Sequence, residues 1–261
     1  MTETALLLEK SEGFAVLTMN RPEAMNALNK DLADALFHGF QEVNNDESIK
    51  VLILTGAGKA FCGGLDLKEI AKLDQSLSGS EMSNAIGQFH QEMFKFKGPI
   101  IGAINGPAVT GGFELALRCD ILIASTKGSF ADTHARVGFI PGGGMTQILP
   151  RIIGTGRAKQ LSFTGNFLDA NTAESWGLVN QVVAPDKLLD VCRAMARDML
   201  PGNQFVIQEY KRLIDQGNLT TVEEGLKAER DAHVDYAQQS TQNFDDSKRQ
   251  AIQKRGREQI G

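Results

Sequence analysis

The chain is poor in cysteine, with three among 261 residues. Cys62, Cys119 and Cys192 are odd in number and widely spaced, which is not the pattern of a disulfide framework or of a cysteine-based metal site. We therefore expect structural thiols in a reducing compartment, and no resident metal.

Long apolar runs are also missing. No segment approaches the ~20 apolar residues that a membrane-spanning helix needs, so we expect no membrane association. The apolar patch within residues 1–10 is too short for a secretory signal. The same stretch is too acidic for an arginine-rich transit peptide. Together these absences predict a cytoplasmic protein.

An excess of positive charge is absent as well. Lys and Arg number 27 against 32 Asp and Glu, which gives a formal net charge of −5. A dedicated nucleic-acid binder would show a basic face, so we expect no nucleic-acid partner. Any anionic ligand must be held by local basic side chains or by the N-terminal ends of helices.

Apolar patterning predicts an α/β fold. The expected strands lie at residues 14–19, 51–55, 100–104 and 121–124. Between the first two, apolar residues recur at helical spacing from Leu28 to Val43, with Asn29 as the N-cap. Strand and helix alternate three times before residue 125, which favours βαβ crossovers.

Helical patterns dominate after residue 144. The expected helices lie at residues 157–163, 170–176, 187–200, 204–215 and 221–239. The tail has few large apolar side chains, so we expect it to pack on the parent domain or on a neighbouring subunit. This predicts a core of residues 1–200 and a helical region of residues 201–261. The polar segment 74–84 is interpreted as a mobile surface loop.

Residues 98–119 form the most informative stretch. The strand at 100–104 is followed by a break at 105–107, and Gly111 and Gly112 then begin a helix with Glu114 in its first turn. Free N–H groups at a helix start attract negative charge, and glycine lets a ligand come close to them. Taken alone, Glu114 is most often a favourable charge in a first turn.

A second glycine-rich loop, residues 56–64, follows the strand at 51–55. It lacks the dinucleotide-binding and P-loop spacings, and alone it could be a tight turn or a general phosphate cradle. Because both loops follow apolar strands, where α/β proteins bind ligands, we interpret them as one site. Two N–H groups, one from each loop, suit a thioester carbonyl that becomes an enolate, and losing one such donor costs ~10²–10³ in rate.

Nearly the whole chain resembles the crotonase superfamily, the enoyl-CoA hydratase/isomerase family. The matching segments are residues 20–28, 54–68, 105–120, 138–147 and 176–180. The resemblance implies a crotonase-like α/β spiral of ββα/βαβ repeats with a helical C-terminal oligomerisation region that builds trimers, often paired into hexamers. It also implies an acyl-CoA ligand and no added cofactor, because the thioester itself is the electron sink.

The resemblance also assigns site residues. By position, the oxyanion-hole donors are the N–H groups of Leu65 and Gly111, and Glu114 is an acid/base residue. The stretch that usually contacts the adenine and pantetheine of CoA comprises Cys62, Gly63, Gly64, Asp66 and Leu67. Lys68 could contact a CoA phosphate, and a solvated surface lysine is an equally good interpretation.

One catalytic position departs from the family pattern. Standard hydratases of the family use two glutamates on either side of a water molecule; one matches Glu114, and His134 occupies the position of the other. Histidine also donates and accepts protons near neutral pH, so hydration stays open. So do another enolate chemistry and acyl-CoA binding without catalysis. Asp132 could orient the imidazole, although a solvated loop aspartate is the commoner situation.

We therefore predict an enoyl-CoA hydratase of fatty-acid metabolism that adds water to trans-2-enoyl-CoA thioesters. Glu114 would act on the water and His134 would serve the α-carbon. The alternatives are an acyl-CoA carrier that does not catalyse, a thioester hydrolase and an isomerase. The isomerase is disfavoured, because related isomerases rely on the carboxylate position that is His134 here.

Overall fold

The computed structural model describes residues 4–72, 79–239 and 246–260. The strands are β1 (Leu6–Ser11), β2 (Phe14–Met19), β3 (Val51–Gly56), β4 (Ile100–Ile104), β5 (Pro107–Val109), β6 (Ile121–Ser125), β7 (Ser129–Ala131), β8 (Leu168–Asp169) and β9 (Gln181–Val183). The helices are α1 (Lys30–Asn44), α2 (Leu67–Ile70), α3 (Glu81–Lys95), α4 (Gly111–Ala116), α5 (His134–Val137), α6 (Met145–Ile153), α7 (Thr155–Thr164), α8 (Ala170–Ser175), α9 (Leu188–Met199), α10 (Gln204–Gly217), α11 (Val222–Gln239) and α12 (Asp246–Ile260).

The main sheet has the strand order β1-β2-β3-β4-β6-β9. Among the described strand pairs of this sheet, the β1–β2 hairpin is antiparallel and the other neighbours run parallel. All four strands predicted from the apolar runs are confirmed. Parallel strands are joined by crossover connections whose helices cover the faces of the sheet. This explains why β3 and β4 are buried along their whole length.

Alternate residues of the central strands supply two separate cores. On β3, Leu52 and Leu54 belong to the cluster that includes residues of α1 and α3. Val51 and Ile53 belong to a second cluster, which includes Cys192 of α9. This alternation is the period-2 consequence of strand geometry, with helices covering both faces of the sheet.

Helix α1 begins as predicted, because the Asn29 side chain accepts a hydrogen bond from Leu32 N at 2.9 Å. The predicted loop at 74–84 is wrong at its C-terminal end. Ser80 is the N-cap of α3, and Met82, Phe89 and Met93 are buried on its apolar face. Residues 74–78 of that prediction lie outside the described residues.

A second sheet of short strands carries the site. β5 pairs in parallel with β7, and β7 pairs antiparallel with β8. These strands, of two or three residues, were not predicted, because such short segments have no periodicity of their own. The sheet holds the loop before α4 against the segment before α5.

The contacts divide the chain into two units, residues 4–211 and 212–260. In the second unit, Thr221 and Glu224 form a reciprocal capping box at the start of α11, with Thr221 N donating to Glu224 Oε2 at 3.0 Å and Glu224 N to Thr221 Oγ1 at 3.3 Å. The predicted boundary at residue 200 and the packing of the C-terminal region stay predictions. Within the described ranges, no helix is long and apolar enough to cross a membrane.

Candidate active site

The two glycine-rich loops lie against each other. Cys62 N donates to Pro107 O at 3.2 Å, and Val109 N donates to Cys62 O at 2.9 Å, so the loop after β3 pairs with β5. A Cβ on Gly112 would lie 2.1 Å from Cys62 O, so any residue other than glycine would clash there. The sequence prediction that both loops build one site is consistent with this contact.

Leu65 and Gly111, the predicted oxyanion-hole residues, are brought together here. A Cβ on Gly64 would lie 3.5 Å from Gly111 N. The backbone groups on either side of Leu65 are already hydrogen bonded to Leu28. Leu28 N donates to Gly64 O, and Asp66 N donates to Leu28 O. Within residues 4–72, 79–239 and 246–260, the N–H groups of Leu65 and Gly111 have no hydrogen-bond acceptor. Both amides are therefore free to bind a ligand oxygen.

Thr110, directly before α4, has a strained backbone with φ of 53° and ψ of −112°. A β-branched residue rarely adopts a positive φ, so the surrounding structure must hold it. Thr110 N donates to Ala131 O at 2.8 Å, and its hydroxyl lies 2.5 Å from the Thr133 hydroxyl. These bonds fix the start of α4 to the segment that carries Asp132 and His134.

Glu114, His134 and Asp132 form a buried row of three titratable side chains. Their exposed fractions are 6%, 7% and 1%. His134 Nδ1 lies 2.7 Å from Asp132 Oδ1, and His134 Nε2 lies 3.6 Å from Glu114 Oε2. Because a carboxylate accepts hydrogen bonds, His134 Nδ1 carries a proton and donates a hydrogen bond to Asp132. The other ring nitrogen, Nε2, faces Glu114. The interpretation of Asp132 as a solvated loop residue is therefore wrong.

Asp132 is held as a carboxylate. Burial alone would raise its pKa, but hydrogen bonds from His134 and the Ser162 hydroxyl outweigh burial and lower the pKa below the ordinary 3.8. The ionised form consequently stabilises the folded protein above pH 3.8, and this stabilisation is lost as the pH falls further. At neutral pH a fixed negative charge therefore lies beside the His134 ring.

Glu114 is oriented by the loop before α6. Its Oε1 accepts hydrogen bonds from Gly143 N at 2.6 Å and from Met145 N at 3.4 Å, so Oε2 is the oxygen that faces His134. A Cβ on Gly143 would lie 2.6 Å from the Glu114 carboxyl carbon. Sequence reasoning missed this role, although the run of glycines at 142–144 was a signal for a close backbone approach.

Known proteins share this architecture. The sequence model of the enoyl-CoA hydratase/isomerase family matches residues 9–255. The chain belongs to this family. It is 37% identical to the probable peroxisomal enoyl-CoA hydratase 1 of Arabidopsis thaliana, over 90% of this chain and 88% of the relative. It is 38% identical to the crotonyl-CoA hydratase of Syntrophomonas wolfei, over 87% of each chain.

Solved structures agree with the family assignment. A probable enoyl-CoA hydratase/isomerase from Mycobacterium abscessus matches with a TM-score of 0.85 and 30% identity, over 96% of each chain. The predicted superfamily and the crotonase-like α/β fold are thereby confirmed.

In this family member the predicted CoA-contacting stretch is only partly accessible. Cys62 is fully buried, and burial raises the pKa of its thiol to about 12. Asp66 caps α2 through Lys68 N at 3.1 Å and pairs with Arg21 at 3.1 Å, so its carboxylate is already engaged. Leu67 and Lys68 are exposed. The roles assigned to Cys62, Gly63, Gly64, Asp66, Leu67 and Lys68 stay predictions.

The support of the first glycine-rich loop was missed by sequence reasoning. Asn26 is fully buried, and its side-chain amide donates to Ala57 O at 2.9 Å and Ala60 O at 2.8 Å. Arg21 N in turn donates to Asn26 Oδ1 at 2.8 Å. Residues 20–28 therefore stabilise, through hydrogen bonds, the loop that precedes Leu65.

Proposed function

We propose that this protein is an enoyl-CoA hydratase that adds water to trans-2-enoyl-CoA thioesters in fatty-acid metabolism. The observation that carries the proposal is the approach of Glu114 Oε2 and His134 Nε2 to 3.6 Å in a buried site next to two free amides. The hydratases among its relatives support an enzyme of this lyase type. We also propose a cytoplasmic homotrimer or hexamer.

The N–H groups of Leu65 and Gly111 bind the thioester oxygen. The thioester then accepts electrons as an enolate, and the two donors stabilise the charge that develops on this oxygen. No metal or redox partner takes part in this proposal, because the thioester is the electron sink. Burial of the neighbouring Glu114 and His134 strengthens these electrostatic interactions.

Glu114 and His134 divide the proton transfers. A substrate water at about 2.8 Å from each can hydrogen bond to Glu114 Oε2 and His134 Nε2 at once. Glu114 takes a proton from the water as its oxygen bonds to the β-carbon, and the C=C electrons move into the enolate. His134, protonated on Nε2, then gives its proton to the α-carbon. After the product leaves, the next water between Glu114 Oε2 and His134 Nε2 relays the proton from Glu114 to His134, because the 3.6 Å gap is too long for direct transfer, and both residues are restored.

Hydration of crotonyl-CoA tests the proposal, followed as loss of the enoyl absorbance and by product analysis. The expected product is 3-hydroxybutyryl-CoA, with no free CoA. Release of free CoA would instead show a hydrolase, and a shifted double bond would show an isomerase. Tight binding without turnover would show a carrier.

Asp132→Asn is expected to lower kcat by about 10²–10⁴-fold. An amide can donate to Nδ1 as well as accept from it, so it no longer fixes the proton on Nδ1 and the orientation of the ring. It also removes the fixed negative charge that the Asp132 carboxylate places beside the ring. The measurement is the pH profile of crotonyl-CoA hydration.

The matched control is Asp169→Asn, which replaces an exposed helix-capping carboxylate at the start of α8. This control should cost some thermal stability and leave both kcat and the pH profile unchanged. An Asp132→Asn enzyme with the wild-type profile would contradict the positioning role.

Gly143→Ala is expected to lower kcat by at least 10-fold while the fold is retained. The new Cβ would displace the Glu114 carboxylate, which it would approach to 2.6 Å. Gly142→Ala is the control, because a Cβ there meets nothing within 4 Å. Steady-state kinetics of both variants give the answer, and equal activities would show that the orientation of Glu114 is unimportant.

A further inference from the structure

Two buried side-chain nitrogen atoms in the described residues have no hydrogen-bond partner. Across the described residues, they are His90 Nε2, on α3, and Arg118 Nε, just after α4. Leaving a buried polar group unpaired is unfavourable, and native structures seldom do so without a reason. The proposed reaction uses neither side chain.

Arg118 connects this pair to the catalytic residues. It follows Glu114 by four residues and lies in the turn directly after α4. Burial lowers the pKa of Arg118, and the negative charge of Glu114 opposes that effect, so the two groups interact electrostatically. The guanidinium carbon lies 4.7 Å from the ring centre of Phe94. This places α3 beside the end of α4.

The cluster of His90, Phe94 and Arg118 has a positive charge that the described part of the chain does not pair. No carboxylate lies within 4.0 Å of the Arg118 guanidinium among those residues. His90 is neutral, since burial, and then the charge of Arg118, lower its pKa to about 3. His90 and Phe94 are four residues apart on α3, so they share one face of that helix.

This combination fits an anion with acceptor oxygens. Guanidinium binds carboxylates through paired N–H donors, and a neutral imidazole can add one more hydrogen bond. The position favours an anion on the acyl group rather than a CoA phosphate. Glu114 acts at the β-carbon of the acyl group, whereas the stretch predicted to contact CoA is residues 62–68.

We propose that Arg118 and His90 bind a carboxylate at the far end of the acyl chain, so that the preferred substrates are thioesters of dicarboxylic acids. The inference rests on the proposed function, because it uses the same acyl site. It assigns a substrate class to the acyl site, in which Arg118 and His90 determine specificity.

Binding of saturated thioesters, which lack the double bond that water would attack, tests this class without needing turnover. The three matched pairs are succinyl-CoA with butyryl-CoA, glutaryl-CoA with pentanoyl-CoA, and adipyl-CoA with hexanoyl-CoA. Isothermal titration calorimetry should show at least 10-fold tighter binding of the carboxylated member in the pair whose length reaches Arg118. If wild-type protein binds both members of every pair equally, the inference is wrong.

Variants locate the preference. Arg118→Met should bring the ratio of dissociation constants in the discriminating pair close to one, and Arg118→Lys should leave an intermediate ratio. Arg193→Met, which removes an exposed pair with Glu9, is the control and should keep the wild-type ratio. An unchanged ratio in Arg118→Met, or a changed oligomeric state in gel filtration, would assign Arg118 to structure or to a subunit contact instead.

The outcomes also separate this inference from the proposed function. A preference for carboxylated thioesters without hydration of any enoyl-CoA would support the carboxylate site at Arg118 and contradict the proposed hydratase function. Hydration of crotonyl-CoA without a preference in any pair would support the hydratase function and contradict the carboxylate site.

Discussion

Glu114→Gln should lower kcat for crotonyl-CoA hydration by about 10³–10⁴-fold, near the upper end of what a positioned acid or base supplies. The glutamine carbonyl can still accept the hydrogen bonds from Gly143 and Met145, so the loop before α6 keeps its anchor. An amide cannot take a proton from water at neutral pH. The loss should therefore fall on kcat, and the dissociation constant of butyryl-CoA should change little.

The matched control for this variant is Glu174→Gln on α8. Glu174 Oε1 also accepts a backbone hydrogen bond, from Val182 N at 2.9 Å, but its position is exposed. Wild-type kinetics are expected from the control. Substantial hydration by Glu114→Gln would show that another group activates the water.

His134→Gln should reduce kcat by about 10²–10⁴-fold. A glutamine amide retains a donor for Asp132 but cannot deliver a proton to the α-carbon. His38→Gln, at an exposed position on α1, is the control for loss of an imidazole and should behave as wild type. The readouts are steady-state hydration and thermal unfolding of both variants.

The result for His134 separates the competing interpretations of its family position. A large loss of kcat with a retained fold supports its role as the second acid/base group. If His134→Gln hydrates crotonyl-CoA at the wild-type rate, Glu114 alone carries the chemistry and the imidazole is structural.

Local sequence signals predicted the central fold well. Strands β3 and β4 are buried on both faces, so each is a continuous apolar run. Such a run can be recognised from the local sequence alone. Asn29 likewise signals the start of α1 directly. By contrast, α3 begins in a polar segment, and its apolar face is recognisable only once α1 is known to pack against it.

The sequence named candidate site residues but gave no information on their geometry. Glu114 and His134 were identified by their family positions, but their approach depends on the bonds of Thr110 to the segment 131–133. Nothing local predicts a threonine with positive φ. The burial of Asp132 and the support from Gly143 are equally long-range effects, and so is the approach of Arg118 to Phe94.

A crystal structure with bound butyryl-CoA would show directly whether the two loops form an oxyanion hole. We expect the thioester oxygen at about 2.7–3.1 Å from both Leu65 N and Gly111 N. We also expect the α-carbon on the side of His134 Nε2 and the β-carbon beside Glu114 Oε2. A thioester oxygen bound elsewhere, or an acyl chain that does not reach the gap between Glu114 and His134, would contradict this arrangement.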